Sequence, residues 1–411
     1  MTSTKKISPR EAAYLACLNF EKEGRYLADF LNDWFKQSHP SMQDFKLAQE
    51  IAYGTCRMRL ALEYYAENLS NNKLNLKRKE RILLFTSLYQ YYFLDKIPLY
   101  ALTNESIKIA KKYCHGRFIK FLNAVLRILS SSNHKLPQNN SIQNFSIRYS
   151  YPEYYVKTIC KENDADQAIK ILEAGNARPV LMARRREDAS IFPEMVALNS
   201  PELNEFFSTE KYYIQNGTPA LLMKFLAEGI ITPKKILDLC AAPGGKLIAC
   251  HDLFPNSDLY ANDVSPSKIK ILEENLHKYK ITATLSSGRG EDYPTKDLFD
   301  LVVLDVPCSN TGVLNKRPEA RWRLSKEHVS ELMKCQYKLL QHAIKLLSNK
   351  GQIWYMTCSI LQEENEKLIE KAVKELGLTI KKQMKILPNL EGADGGYGVA
   401  LALEAVNRKI L

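Results

Sequence analysis

Two cysteines in the C-terminal half, Cys308 and Cys358, stand where packing gives little reason for a thiol. Their runs are Asp305-Val306-Pro307-Cys308-Ser309-Asn310-Thr311-Gly312 and Tyr355-Met356-Thr357-Cys358-Ser359. A lone cysteine is ordinarily a small, inert, buried hydrophobe, and Cys17, Cys56, Cys114, Cys160, Cys250 and Cys335 are read that way. Cys308 and Cys358 instead follow apolar, strand-like runs at 301–304 and 352–356, which sets each of them just beyond the carboxyl end of a strand. Thiolate is the strong nucleophile within reach near neutral pH. A thiol pair beside an acid, Asp305, suits covalent activation of a poorly reactive carbon.

Upstream, Leu237-Asp238-Leu239-Cys240-Ala241-Ala242-Pro243-Gly244-Gly245-Lys246 reads as a strand that breaks into a glycine turn. Gly244 and Gly245 let backbone approach a ligand that any side chain would hold off. Asp263 follows at the spacing, about 20 residues, at which an acid ending the second strand of a nucleotide-binding sheet holds ribose hydroxyls. The turn lacks both G-x-G-x-x-G and G-x-x-x-x-G-K-[ST], so neither a dinucleotide nor an NTPase phosphate cradle is expected. S-adenosylmethionine fits, since it needs close backbone and a ribose acid but no pyrophosphate site.

The elements that must position these groups fall into three stretches. Residues 9–126 are helical throughout, with Tyr26, Leu27, Phe30, Leu31, Trp34 and Phe35 on one apolar face. Phe45, Leu47, Ile51 and Ala52 mark a second helix, and Ile82, Leu83, Phe85, Leu88, Tyr89 and Tyr92 another; their spacing makes these aromatics core rather than base-stacking platforms. Residues 130–141, rich in Ser, Asn, Gln and Pro, read as a linker. The expected domains are a helical bundle at 1–130, a small mixed segment at 142–210 and a catalytic domain at 211–411. The middle segment should carry a helical stretch at 154–174 and the run Arg184-Arg185-Arg186, read as solvated surface or an RNA-backbone contact. In the last, strands at 235–239, 259–262, 283–285, 301–304 and 352–356 alternate with helices at 266–279 and 326–347, and 399–405 is expected as a final antiparallel strand. That alternation predicts a doubly wound parallel sheet.

The net charge is +12 over 411 residues, which favours a polyanionic partner because each neutralised phosphate releases counterions. No apolar run reaches the roughly 18 residues of a membrane span. The polar, basic start lacks a signal-peptide core, and nine cysteines without a C-x-x-C pair read as free thiols in a reducing cytoplasm, with no metal site.

Taken together, these motifs resemble the Sun-family RNA cytosine-C5 methyltransferases over nearly the whole chain. Asp238 to Lys246, Asp305 to Gly312 and Thr357-Cys358-Ser359 carry the resemblance most specifically. Tyr149-Ser150-Tyr151-Pro152-Glu153 and Phe121-Leu122-Asn123-Ala124-Val125-Leu126-Arg127 extend it. The resemblance implies an N-terminal all-α antitermination-factor (NusB)-like RNA-binding bundle, a small mixed linker domain and a C-terminal α/β Rossmann-like methyltransferase domain. It implies that Cys240, Ala241, Ala242, Pro243, Gly244, Gly245, Lys246 and Asp263 bind S-adenosylmethionine, with Asp305 between cofactor and base. Cys358 would be the nucleophile and Cys308 the thiol that assists release. The residues by themselves leave the two thiols' roles open, since DNA cytosine methyltransferases attack with a Pro-Cys thiol, the position of Cys308.

The expected reaction is methylation of C5 of a cytosine in 16S ribosomal RNA through a cysteine–C6 adduct, by a cytoplasmic monomer whose partner is small-subunit ribosomal RNA. The competing reading is a ribosome-assembly or RNA-binding factor with weak or lost activity. An amino-methyltransferase would carry an Asn/Asp-Pro-Pro-Tyr/Phe run, and Asp305-Val306-Pro307-Cys308 has a thiol there instead. Lys246 and the run Lys316-Arg317 to Arg321-Trp322-Arg323 are candidate phosphate contacts, with Trp322 either a stacking platform or core. Arg289, Val306, Asn310 and Pro219 depart from the family's usual residues.

Overall fold

The computed structural model describes residues 7–70, 73–95, 97–186, 195–197 and 209–404. The chain divides into two compact units, Met1–Lys157 and Thr158–Leu411.

The first unit is helical: α1 (Pro9–Glu23), α2 (Leu27–Ser38), α3 (Met42–Arg57), α4 (Arg59–Ser70), α5 (Arg78–Phe93), α6 (Leu99–Tyr113), α7 (Gly116–Ile128) and α8 (Ile142–Tyr149). Their ends follow local chemistry. The Ser8, Ser41 and Ser141 hydroxyls accept from backbone N–H groups three residues on, starting α1, α3 and α8. Gly24, at φ 70°, ends α1. Leu27, Leu31 and Trp34 of α2 are buried, as are Phe85, Leu88 and Tyr89 of α5 and Leu122, Val125 and Leu126 of α7, so Trp34, Phe85 and Tyr89 are core as expected, while Tyr26, Phe30, Phe35, Phe45 and Tyr92 are half-buried. At Gly54 a Cβ would meet the Tyr89 ring at 1.8 Å, and this glycine is what lets α3 and α5 approach so closely.

Next in the chain come α9 (Glu153–Glu162) and α10 (Ala165–Ala174). The single helical stretch expected at 154–174 is broken at Asn163-Asp164, where the Asp164 carboxylate accepts from Gln167 N–H at 2.8 Å and starts a new helix.

The second unit opens with a small antiparallel sheet of β1 (Met182–Arg185), β2 (Met195–Ala197) and β3 (Tyr212–Ile214), ordered β2-β1-β3. The arginine run lies here and corrects its sequence reading. Arg184 is fully buried, paired with Asp252 at 2.6 Å, and Arg186 reaches the same carboxylate at 2.9 Å. These two arginines brace the small sheet against a helix of the catalytic domain, so the surface and RNA-backbone readings fail for them.

The large sheet contains β4 (Lys235–Asp238), β5 (Asp258–Asp263), β6 (Thr284–Ser287), β7 (Phe299–Asp305), β8 (Leu347–Thr357), β9 (Leu378–Ile386) and β10 (Gly396–Leu403). Its order is β6-β5-β4-β7-β8-β10-β9, parallel from β6 to β8 and antiparallel where β10 enters between β8 and β9. Around it run α11 (Gly217–Ala227), α12 (Gly245–Leu253), α13 (Pro266–Lys278), α14 (Lys326–Lys345) and α15 (Glu366–Leu376). Leu301 and Val303 of β7 pack with Ile236, Trp354 and Met356 on one face, while Val302 and Leu304 pack with Leu237, Ile353 and Tyr355 on the other. Covered on both faces, these strands are unbroken apolar runs. Each large apolar side chain so buried contributes roughly 1.5–3 kcal/mol.

Two expectations need adjusting. Helix α14 stops at Lys345 and β8 begins at Leu347, five residues before the strand was expected. Strand β9 was not foreseen: Leu378-Thr379-Ile380-Lys381-Lys382-Gln383-Met384-Lys385-Ile386 is an edge strand whose Lys382 donates to Phe225 O and whose Lys385 pairs with Glu366. No helix among the described residues is long and apolar enough to cross a membrane.

Candidate active site

The chain runs outward from β4 through β5 to β6, then returns to β7 and β8 on the other side of β4. The reversal between β4 and β7 opens a crevice at their carboxyl ends, where ligands of such sheets bind. The turn after β4 is built for close approach. Gly244 sits at φ 111°, and a Cβ on Gly245 would meet the Tyr213 hydroxyl at 3.1 Å and Gln215 Nε2 at 3.3 Å. Ala241 N–H donates to Asn262 O at 2.8 Å, and Asn262 Nδ2 donates in turn to Leu239 O at 3.3 Å and Gly288 O at 3.0 Å. One buried amide thus ties together the loops after β4, β5 and β6.

Asp263 ends β5 with each carboxylate oxygen accepting one backbone N–H, from Ala242 at 3.2 Å and from Ser265 at 3.1 Å. Each oxygen keeps a further lone pair that a ribose hydroxyl could use. The turn therefore fits a nucleoside held by backbone and one acid.

Asp238, absent from the sequence-derived site, lies at the floor of this turn. It is wholly buried; Oδ1 accepts from Cys240 N–H at 3.3 Å, and Oδ2 has no hydrogen-bond partner among the described residues. Burial first, then the neighbouring charge of Asp305, push its carboxyl up to about 7. The Cys240 thiol is likewise pushed well up by burial and by Asp238, so it stays a protonated part of the turn.

Lys246, in the first turn of α12, reaches Asp305 Oδ2 at 2.5 Å across the crevice. Burial alone would lower the Lys246 ammonium, but Asp305, Asp238 and the Cys358 sulfur outweigh it and hold it above its ordinary range. A charged lysine thus stands between the cofactor turn and the thiols.

Strands β7 and β8 are adjacent and parallel, with Asp305 opposite Met356. Cys308 and Cys358 therefore leave neighbouring strand ends, and their sulfurs are 3.2 Å apart. Both are free thiols. The hydrogen bond with Cys358, then burial, hold the Cys308 thiol well above its ordinary value. Cys358 also donates to Asn310 Oδ1 at 3.3 Å, while Asn310 Nδ2 donates to Cys308 O at 3.0 Å. Asn310 occupies the left-handed region, φ 60°, a conformation asparagine tolerates. Gly312 N–H donates to Cys358 O at 2.8 Å and Gly395 N–H to Gly312 O at 2.7 Å. A Cβ on Gly312 would meet the Gly395 carbonyl oxygen at 2.3 Å.

The basic run near the site divides. Lys316 pairs with Asp394 at 2.6 Å, and fully buried Arg321 donates to Asn176 at 2.9 Å and Gly175 O at 3.1 Å. Both are structural, contrary to the phosphate expectation. Arg317 is exposed and donates at 3.2 Å to Asn310 Oδ1, the oxygen that also accepts from Cys358 Sγ. Trp322 is half-buried. The departures find local explanations: Val306 is core, Pro219 lies in the first turn of α11, where a missing N–H costs nothing, and Arg289 is exposed and pairs with Glu291.

Residues 231–399 match the family described as 16S rRNA methyltransferase RsmB/F, and residues 7–131 match the NusB family. Residues 231–399 thus carry a domain of the RsmB/F type. The chain is accordingly a methyltransferase that depends on S-adenosylmethionine, and its two halves carry the NusB-like and Rossmann-like folds. Ribosomal RNA small subunit methyltransferase B of Photorhabdus laumondii is 29% identical over 400 residues, covering 88% of this chain and 91% of that protein. The probable ribosomal RNA small subunit methyltransferase B of Bacillus subtilis is 26% identical, with 96% and 98% covered. Among solved structures, PH0851 superposes with a TM-score of 0.77 at 19% identity over 96% of this chain and 99% of that one. A methyltransferase homologue from Pyrococcus horikoshii superposes with a TM-score of 0.55 at 19% identity over 65% of this chain and all of that one. These two likenesses bear on the fold alone.

Proposed function

We propose that this RsmB/F-type enzyme methylates C5 of a cytosine in 16S ribosomal RNA, with Cys358 as nucleophile and Cys308 as the thiol that serves product release. The observation that carries the reading is the thiol pair, 3.2 Å apart at the switch-point crevice, with one member held protonated. Cytosine C5 is too poor a nucleophile to accept a methyl group unaided. Addition of the Cys358 thiolate to C6 turns the ring into an enamine whose C5 can attack. Bound S-adenosylmethionine supplies the electrophilic methyl.

The chain's own groups divide the remaining work. The Cys308 S–H lies within hydrogen-bond reach of the attacking sulfur, at 3.2 Å. Asp305, held by Lys246, stands where charge develops on the ring. After transfer, solvent water takes the C5 proton, the C5–H electron pair re-forms the C5–C6 double bond, and the C6–S bond breaks to release Cys358 as thiolate, which the Cys308 S–H hydrogen-bonds. Gly244, Gly245 and Asp263 hold the cofactor, with Ala241, Ala242 and Pro243 shaping the turn. Attack from both faces requires a base out of its stack, so the target lies in single-stranded or looped RNA. The assembly-factor reading is not favoured, since neither thiol nor Asp305 is lost.

A denaturing gel tests the roles. Wild type, Cys308→Ala and Cys358→Ala are incubated with unmethylated 16S RNA and S-adenosylmethionine. The expected result is a covalent protein–RNA adduct that accumulates with Cys308→Ala and is absent with Cys358→Ala. The reverse pattern would exchange the roles, and absence of both adduct and methylation from every form that binds RNA would overturn the proposal.

A further inference from the structure

Glu364, in the run Glu363-Glu364-Asn365-Glu366, is wholly buried. Among the described residues it pairs with no lysine, arginine or histidine. Four neutral donors converge on it instead. Ser309 N–H and Gln336 Nε2 each reach Oε1 at 2.9 Å, and Ser359 Oγ reaches Oε2 at 2.5 Å. The Ser309 hydroxyl makes the fourth contact, also to Oε2.

Ser309 directly follows Cys308 and Ser359 directly follows Cys358, so one carboxylate grips both thiol-bearing loops. Gln336 extends the grip by donating also to Pro307 O at 2.9 Å. Thr311 Oγ1 closes the arrangement, lying 3.0 Å from Ser359 Oγ and accepting Ile360 N–H at 3.0 Å.

Burying a carboxylate without a cation costs several kcal/mol. We infer that Glu364 is a positioning residue for methyl transfer: by gripping Ser309 and Ser359, the residues next to the two thiols, it fixes Cys308 against Cys358, the sulfur that attacks. This rests on the assignment of Cys358 as nucleophile. The charge of Glu364 also raises the Cys308 thiol, after the Cys358 hydrogen bond, burial and the Cys358 charge. No acid–base step passes through Glu364 itself, and it lies behind the thiols rather than in contact with the base.

The test compares Glu364→Gln, Glu364→Asp and Cys358→Ala in methylation of unmethylated 16S RNA, with kcat, KM for S-adenosylmethionine and thermal unfolding measured for each. Displacing a reacting group by about an ångström costs up to ~100-fold in rate, so Glu364→Gln should lower kcat by roughly 10–100-fold with KM within about twofold. Glu364→Asp, which restores the charge, should recover part of that loss. Should Glu364→Gln not fold, Ser359→Ala decides in its place, through a smaller drop in kcat at unchanged KM. Wild-type kcat in Glu364→Gln, a loss confined to KM, or no recovery in Glu364→Asp would overturn the inference. A Cys358→Ala enzyme that still methylates would refute the underlying assignment; a dead Cys358→Ala beside a fully active Glu364→Gln would refute the role of Glu364 alone.

Discussion

Replacing Asp238 by asparagine should stabilise the ligand-free enzyme, and more so at pH 8 than at pH 5. The carboxyl is wholly buried and its Oδ2 lacks a hydrogen-bond partner among the described residues. Burial and Asp305 raise it from an ordinary 3.8 to about 7. Between those values the folded chain keeps a proton that the unfolded chain has released. Folding then takes up a proton, so stability falls as pH rises from about 4 through about 7 and levels off above. Each tenfold of proton affinity is worth about 1.4 kcal/mol, giving a ceiling of ~4 kcal/mol overall and about 2–3 kcal/mol between pH 5 and pH 8. Asparagine keeps the acceptor for Cys240 N–H and does not titrate. Any pH-independent cost of the new amide cancels in the comparison of the two pH values. Thermal unfolding of both proteins at both pH values is the assay, and the gain at pH 8 should exceed that at pH 5 by roughly 5–10 °C for a unit of this size. An equal effect at both would mean that Asp238 is already ionised in the folded protein at pH 5, and the reasoning would fail.

Two further substitutions probe the frame. Gly312→Ala forces a methyl group to within 2.3 Å of the Gly395 carbonyl oxygen, so it should cost about 1–3 kcal/mol and slow adduct formation; melting temperature and the adduct gel check both, and wild-type behaviour would mean that the loops can part freely. Asp252→Asn removes the charge that pairs with buried Arg184 and with Arg186; a loss of about 3–5 kcal/mol is expected, read by denaturant unfolding, and unchanged stability would show that the pair is not needed.

What the sequence disclosed depended on whether a residue's role was local. The glycine turn, the strand-end acids and both thiols announce themselves because their neighbours in the chain are also their neighbours in space. The parallel strands were legible because burial on two faces leaves an unbroken apolar run. Strand β9 was not, since an edge strand carrying Lys381, Lys382 and Lys385 has the composition of a solvated segment. Arg184 deceived for the opposite reason: three arginines look like surface until Asp252, 68 positions along the sequence, is found beside one of them. Glu364 and Asp238 share this property. Each is an acid whose significance lies in what surrounds it, and spacing carries no trace of burial.

The two thiols owe their contact to the ladder between β7 and β8. Loops beyond the strands refine the 3.2 Å separation, but its scale is the distance between neighbouring strands, about 4.8 Å. A base docked over one sulfur is therefore already over the other, to within less than the width of a ring. An enzyme on this frame could exchange attacker and assistant without moving its RNA, its cofactor or any strand. What holds the two sulfurs side by side lies behind the pair, in the carboxylate that grips the serine following each.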